Sequence, residues 1–450
     1  MMRVSPFALF LGVVFAYLVT LQPINDSDLF WHVETGRLTL AGDLPRVEVF
    51  SWTARGEPVF TDQWLGDLVL AVARAAAGWP GILALRALAV FALVALVVDA
   101  AMSARPRAPI VAAAAALPAI LLSRFAWTDR PELLGLVCFA LMIRLLRGGD
   151  RELLFAIPLL FVWAQLHGSY ALGLGLILAS CAARAIEEKP ERWRFVPIAS
   201  FAVLATLLGP SGLDAWTSSG GHFLAPPRFI AEEGAPDART LPGAFFLITL
   251  ALVIATASLG RRATLRETLV LVPVALVALT ATRHTPLLAI AAVPFFASRW
   301  PDPIAGLRDR SPAAPEANLG RTRAFLIALL AFLPIAVLDA HVDESTYPRA
   351  ALAAVPEGAG VFNQYDWGGW LLYAKPSTPV FIDGRLFPYV PDVLADYRAI
   401  VGAHPGWESV VARHGVKAML VRPSDPIAVR ATERGWRVAF RDAIAVVLIR

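Results

Sequence analysis

The chain has 450 residues, 57% of them hydrophobic and only 17% charged, with a mean hydropathy of +0.60. Soluble domains carry about 25% charged residues, so this composition excludes a water-soluble globular protein and points to an integral membrane one. Forty basic residues against 36 acidic ones leave a formal charge of +4. The basic residues are scattered through short loops, which excludes a nucleic-acid surface.

In chain order, Met1-Met2-Arg3 leads into the apolar run Pro6–Ile24 with no small-residue cleavage site after it, so this run reads as a retained first span. Gly81–Val98 and Leu241–Leu259 also approach the roughly 20 residues that cross a hydrocarbon core. The apolar pattern predicts about eleven spans, at 6–24, 80–102, 109–123, 132–147, 152–166, 169–186, 194–209, 241–259, 266–281, 284–299 and 323–340. The short pair around His167 is also compatible with a re-entrant hairpin. The loop 25–79 carries turns at Gly42-Asp43-Leu44-Pro45 and Arg55-Gly56-Glu57-Pro58 between extended pieces. From 62 to 77, Trp64, Leu65, Leu68, Val69 and Val72 recur at helical spacing, with Gln63, Asp67 and Arg74 on another face, as in a helix lying along a membrane surface. A second loop, 210–240, ends in Glu232-Glu233 and reads as a lid or a plain connector; 302–318 is a Pro-rich linker.

Beyond 341 the composition turns soluble. Strand-like runs (Val361-Phe362, Val380–Asp383, Ala418–Val421, Arg437–Phe440, Ile444–Ile449) alternate with helical stretches at 391–402, 407–414 and 425–434. The expected architecture is an all-α multi-span membrane domain, 1–340, with a structured outer loop at 25–79. A small α/β extracytoplasmic domain, 341–450, follows it.

Orientation follows from the excess of Arg and Lys in cytoplasmic loops. With the N-terminus inside, the inner loops hold Arg105-Pro-Arg107, Arg144 to Arg151, Arg184 to Arg194, Arg261-Arg262 with Arg266, and Arg299 to Arg323. All seven histidines then fall outside, together with Asp26, Asp28, Glu34, Asp62, Asp129, Glu132, Asp214, Glu232 and Glu233. Cys138 and Cys181 lie in apolar segments and suggest neither a disulfide nor a thiolate metal site.

Asn25-Asp26-Ser27-Asp28-Leu29-Phe30-Trp31-His32 stands directly after the first span. Two carboxylates so spaced bind a hard divalent cation with a phosphate, or supply a base; alternatively they merely end the span in water. His32 adds a ligand or proton carrier. Further polar clusters return to the same level: Arg124 to Glu132, Trp163-Ala-Gln165-Leu-His167-Gly168-Ser169, Gly209-Pro-Ser-Gly212, and Arg283-His284. Arginines there either clamp a phosphate bidentately or serve as pairing anchors, and His167 is either part of a site or a packing residue. Arg86 lies within the second span, where it requires a carboxylate partner or an anionic ligand. No P-loop, H-E-x-x-H, nucleophile-elbow serine or Cys/His metal spacing is present.

These residues resemble a group of bacterial membrane proteins that look like glycosyltransferases of the GT-C superfamily. The shared marks are Asp26-x-Asp28-x-x-Trp31-His32 with Gly36, Phe50-Ser51-Trp52-Thr53, Gln63-Trp64-Leu65, Arg130-Pro131-Glu132, Trp163-x-x-x-His167-Gly168, Arg283 before Pro286, Gly368-Gly369, and Phe381-Ile382-Asp383-Gly384-Arg385. Gln165 stands where the group's pattern leads one to expect Asn, and Gly209-Pro210-Ser211 where it leads one to expect Asn-Pro-aromatic. The resemblance implies a bacterial inner-membrane enzyme that takes a sugar from a polyprenyl-phosphate donor to an envelope glycan, lipid or protein acceptor. Asp26, Asp28 and His32 would be catalytic, with Asp26 and Asp28 as ligands of a divalent metal (Mg or Mn). Arg130, Arg283 and Arg86 would hold the donor phosphate, with Trp31, Glu132, His167 and His284 in support. The rival expectations are a flippase or transporter of a lipid-linked sugar and a non-catalytic envelope assembly protein, in which the Asp383-Gly384-Arg385 turn is the partner contact.

Overall fold

The computed structural model describes residues 4–217, 231–259, 262–303, 327, 329–358, 360–385 and 387–450. His222, Arg261, most of the 302–318 linker and the start of the last expected span lie outside the described residues. In chain order the helices are α1 (Pro6–Thr20), α2 (Asp28–Leu40), α3 (Trp64–Ala104), α4 (Pro109–Ser123), α5 (Pro131–Leu146), α6 (Asp150–Leu166), α7 (Tyr170–Glu187), α8 (Phe195–Leu207), α9 (Leu241–Leu259), α10 (Leu265–Ala278), α11 (Thr285–Arg299) and the short α12 (Leu333–Ala336). After them come α13 (Gly368–Ala374), α14 (Asp392–Val401), α15 (Trp407–His414) and α16 (Pro426–Glu433). The chain forms two compact units. One comprises Met1–Gln22 with Pro80–Asp339, the other Pro23–Trp79 with Ala340–Arg450. The loop 25–79, read from sequence as part of the membrane domain, thus packs with the C-terminal segment.

In the first unit, helix starts are set by local chemistry. The Ser5 hydroxyl caps the Ala8 amide at 3.1 Å ahead of Pro6. Thr264 and Glu267 form a reciprocal capping box at α10. Among the described residues, four helices are long and apolar enough to cross a membrane: α3, Pro109–Ala126, α7 and α9; α1 is a shorter apolar helix. The other helices on expected spans run 13 to 17 residues. Even 17 residues rise only about 26 Å, against a core of about 30 Å, so among the described residues length and hydropathy qualify four of the eleven expected spans.

α11 is the hub of this unit, buried from Thr285 to Ala297 and packed on α4, α5, α9 and α10. The fully buried Ala112, Ala115, Ala116 and Ala119 of α4 offer it a small-residue face, which permits close approach. α5 and α11 begin at the same end, where Arg283 Nε lies 3.8 Å from Glu132 Oε1. Their 16 and 15 residues rise about 24 and 22 Å. Arg130, Glu132 and Arg283 therefore mark one end of the unit, and Arg144, Arg147 and Arg299 the other.

The second unit is built on a mixed sheet of β1 (Val361–Asn363), β2 (Ala418–Val421), β3 (Arg437–Arg441) and β4 (Val446–Ile449). Its order is β1-β2-β4-β3, with β1 parallel to β2 and the other pairs antiparallel. Val380–Asp383, expected as a strand, instead meets the loop: Trp52 N–H donates to the Val380 carbonyl at 3.1 Å and Val380 N–H to Phe50 at 3.2 Å. Ile24 N–H donates to His341 at 3.0 Å and Asp343 N–H to Ile24 at 2.7 Å, tying the stretch after α1 to the start of the C-terminal segment. α2 packs on α13, where a Cβ at Gly369 would stand 2.3 Å from the Ser27 carbonyl oxygen.

Candidate functional site

The acidic motif opens α2. Asp26 Oδ1 accepts the Asp28 N–H at 3.0 Å, closing a turn that places Asp28 at the helix N-terminus, where a carboxylate is favoured. Both acids are half-buried. Asp28 lies over the Asp383-Gly384-Arg385 turn, with its Oδ1 only 1.9 Å from where a Gly384 Cβ would be. Tyr347, stacked on Trp370 at 5.1 Å, has its phenol held above the ordinary range by burial and by the charges of Asp26, Asp366, Asp28 and Asp343. The indole nitrogens of Trp31 and Trp370 are buried in the same unit with no hydrogen bond among the described residues.

His32 is buried, and its Nδ1 lies 2.5 Å from Asp67 Oδ1. One turn on, a Cβ at Gly36 would stand 2.1 Å from the Asp67 carbonyl oxygen. His32 and Gly36 therefore dock α2 onto the 64–77 segment, which α3 separates from its membrane part by a break at Gly78 (φ 69°). On that segment Gly66, Asp67, Leu70 and Ala71 are buried, while Val72 is exposed and Leu68 and Val69 are half-exposed. Of the polar residues only Asp67 is buried; Gln63 and Arg74 are half-exposed, as are Trp64 and Leu65.

Arg385 joins a buried ion cluster. It donates to Glu48 at 2.7 and 3.0 Å, to Asp383 at 2.9 and 2.7 Å and to the Tyr389 hydroxyl at 3.1 Å. Its side chain faces these partners and the Phe50 ring (4.7 Å), inside the unit. Glu48 also accepts the amides of Phe50 and Ser51 at 2.8 and 2.6 Å, and Thr53 donates to the Phe381 carbonyl at 2.5 Å. The Phe50–Thr53 and Phe381–Arg385 motifs are each other's partners.

The basic candidates belong to the first unit. Arg86 donates to Asp129 Oδ2 at 3.0 Å, to the Val19 carbonyl at 3.4 Å and to the Gln22 carbonyl, all buried or partly so. Of the two partners the sequence left open for it, the structure supplies the carboxylate. Arg130 pairs with Glu232 at 3.4 Å. Arg283 pairs with Glu233 and approaches Glu132. Burial opposes the Arg283 charge, but Glu132, Glu233 and Glu232 outweigh it and raise the group above its ordinary value. His167 Nδ1 lies 2.8 Å from Ser169 Oγ, which also accepts the Trp163 indole N–H at 3.0 Å.

Sequence reasoning named Glu232 and Glu233 only as loop acids, and it missed Glu48 and Tyr347. The one signal for Glu48 was an acid between two valines in an extended piece, the reverse of an ordinary buried alternation. Among the described residues no group of three or more His, Cys, Asp or Glu side chains is placed to hold a metal. Asp26 and Asp28 alone offer two carboxylates, so a cation there would need further oxygens from its ligand.

No family model matches the sequence, and no curated protein matches it. Solved structures do. The archaeal oligosaccharyltransferase AglB from Archaeoglobus fulgidus, in complex with an inhibitory peptide and a dolichol-phosphate, superposes with a TM-score of 0.52 at 13% identity, over 92% of this chain and 69% of that one. The apo form of the Archaeoglobus fulgidus oligosaccharyltransferase gives 0.50 at 12% identity with the same coverage. Over nearly its whole length, this membrane protein has a fold similar to that of these oligosaccharyltransferases.

Proposed function

We propose that the protein is a membrane glycosyltransferase. It transfers a sugar from a polyprenyl-phosphate donor to an envelope glycan, lipid or protein on the extracytoplasmic face of a bacterial inner membrane. The observation that carries this reading is the acidic pair Asp26 and Asp28 at the exit of the first helix of a GT-C-like fold. One of the two removes the proton from the acceptor hydroxyl, or both hold a divalent cation completed by the donor's phosphate oxygens. The departing lipid phosphate gains negative charge as the glycosidic bond breaks, and Arg130 and Arg283 stabilise it. Both guanidiniums are carboxylate-bound, so the phosphate displaces Glu232 and Glu233 as it binds. The relative solved with dolichol-phosphate and a peptide supports the chemical kinds of ligand, a lipid phosphate and an acceptor chain.

The transporter reading draws on a charged group within a span, and Arg86 is already neutralised there by Asp129. The test is sugar transfer by the purified full chain from polyprenyl-phosphate sugars, comparing wild type with Asp26→Asn and Asp28→Asn. Loss of turnover in at least one, with lipid-donor binding kept, is expected. Full turnover in both removes the mechanism, and transbilayer movement of donor without transfer favours the flippase.

A further inference from the structure

The end of the first unit remote from Arg130 and Arg283 carries a second charged cluster. Asp99 accepts the Ser5 amide and Arg144 Nε, both at 3.1 Å. Glu267 takes Arg299 through two hydrogen bonds, 2.9 and 2.8 Å, and also closes the α10 cap on Thr264. Both carboxylates are thus fully engaged. Arg147 lies three residues after Arg144 on the end of α5, which packs on α11, whose last residue is Arg299. The Arg147 side chain is exposed, and among the described residues its guanidinium has neither a hydrogen bond nor an ion pair.

Among the described residues, Asp99 and Glu267 are taken by Arg144 and Arg299, and neither pairs with Arg147. A second observation identifies the surroundings. At the same end Arg194 reaches Asp150 at 3.2 Å, beside a 70% exposed Trp193 against which Arg192 stacks at 5.1 Å. An exposed indole among arginines is the side-chain chemistry of the membrane–water boundary.

We propose that Arg147, backed by Arg144 and Arg299, binds the phosphate of an anionic lipid headgroup at this end of the helical unit. Such a phosphate supplies a negative charge and accepts the guanidinium in a fork. Only an exposed side chain is required to meet the ligand, so the site stands whether or not the opposite end transfers sugars.

The experiment uses the delipidated full chain in neutral detergent. Phosphatidylglycerol, phosphatidylcholine and inorganic phosphate are titrated while binding and thermal melting are followed. Wild type is expected to bind phosphatidylglycerol and melt higher, with no response to phosphatidylcholine. Arg147→Gln should weaken phosphatidylglycerol binding about fivefold while melting no lower than wild type in lipid-free detergent, since it relieves like-charge repulsion. Arg147→Lys should retain most of the binding. Arg107→Gln, which removes an exposed charge without touching the cluster, should bind as wild type does. Unchanged binding by Arg147→Gln, or equal loss in Arg107→Gln, would overturn the site, the latter by showing a diffuse field. Saturation by inorganic phosphate at the same sites would overturn the assignment to lipid.

Discussion

Gly384→Ala separates the position of the Asp28 carboxylate from its presence. The added methyl would stand 1.9 Å from Asp28 Oδ1, so that oxygen must retreat by about 1.5 Å to reach ordinary contact at 3.4 Å. Gly384 is not among the glycines at positive φ, so alanine meets no backbone penalty there. The yielding group is the end of a side chain, and turning it costs about 1 kcal/mol of rotamer strain. Catalysis tolerates displacement far less: misplacing a reacting group by about 1 Å costs on the order of 100-fold in rate. Gly384→Ala should therefore lower sugar transfer about 100-fold while the melting temperature falls by about 2 °C or less. The assay is turnover of a polyprenyl-phosphate sugar beside a thermal melt of the same preparation. A folded variant with wild-type turnover would refute the role of Asp28. A melting loss many times larger would show that the contact serves the fold instead.

Glu233→Gln leaves the half-buried Arg283 with Glu132 at 3.8 Å as a distant partner; a loss of about 2 kcal/mol, below the range for a fully buried pair, is expected. In the same variant, binding of polyprenyl phosphate should tighten, and lost stability with unchanged binding would assign the pair to structure alone. Gly36→Ala drives a Cβ to 2.1 Å from the Asp67 carbonyl oxygen; backbone must move, so a loss of about 3 kcal/mol is expected, read by thermal melting. Burial works against ionisation of Asp396, but hydrogen bonds from Arg413 and His414 outweigh it and hold its carboxyl below the ordinary 3.8. Its stabilisation is present in full above that pH and fades as pH falls through the lower folded value. Asp396→Asn should therefore cost about 0.5 kcal/mol at neutral pH and nothing at the acidic extreme, as melting against pH will show.

Helix positions were legible because apolar runs and proline or Ser/Thr starts are local signals. α4, α6, α7, α9 and α11 fall within a few residues of the expected segments. In the C-terminal segment, β2 and the three helices α14, α15 and α16 do so as well. The ties between distant segments were not legible. Glu48 and Arg385 are 337 residues apart, and Arg283 and Glu233 are 50; nothing in the neighbourhood of either residue announces its partner. Glu48 is 1% exposed between Val47 and Val49, which are 45% and 38% exposed. The alternation that ordinarily places valine inside is reversed because a distant arginine requires the acid. Asp67, legible only as part of the helix's polar face, is a like case: its partner, His32, sits on another helix.

The residues that resemble one family divide by what they touch. Phe50–Thr53, Gly36 and Gly368-Gly369 make contacts within the second unit that serve its own packing, and none of their side chains is a candidate for chemistry. Asp26 and Asp28 differ, because their carboxylates stay half-buried at the N-terminus of α2, whereas Glu48 and Asp383 are held by Arg385 inside the unit. The two departures from the family's pattern sort in the same way. A Cβ at Gly209 would stand 2.4 Å from Gln165 Oε1, so the longer amide at 165 fills the space that a side chain at 209 would need. One residue larger and one smaller than the pattern make a single compensated contact between α6 and the end of α8. At positions 165 and 209, then, the departures describe packing.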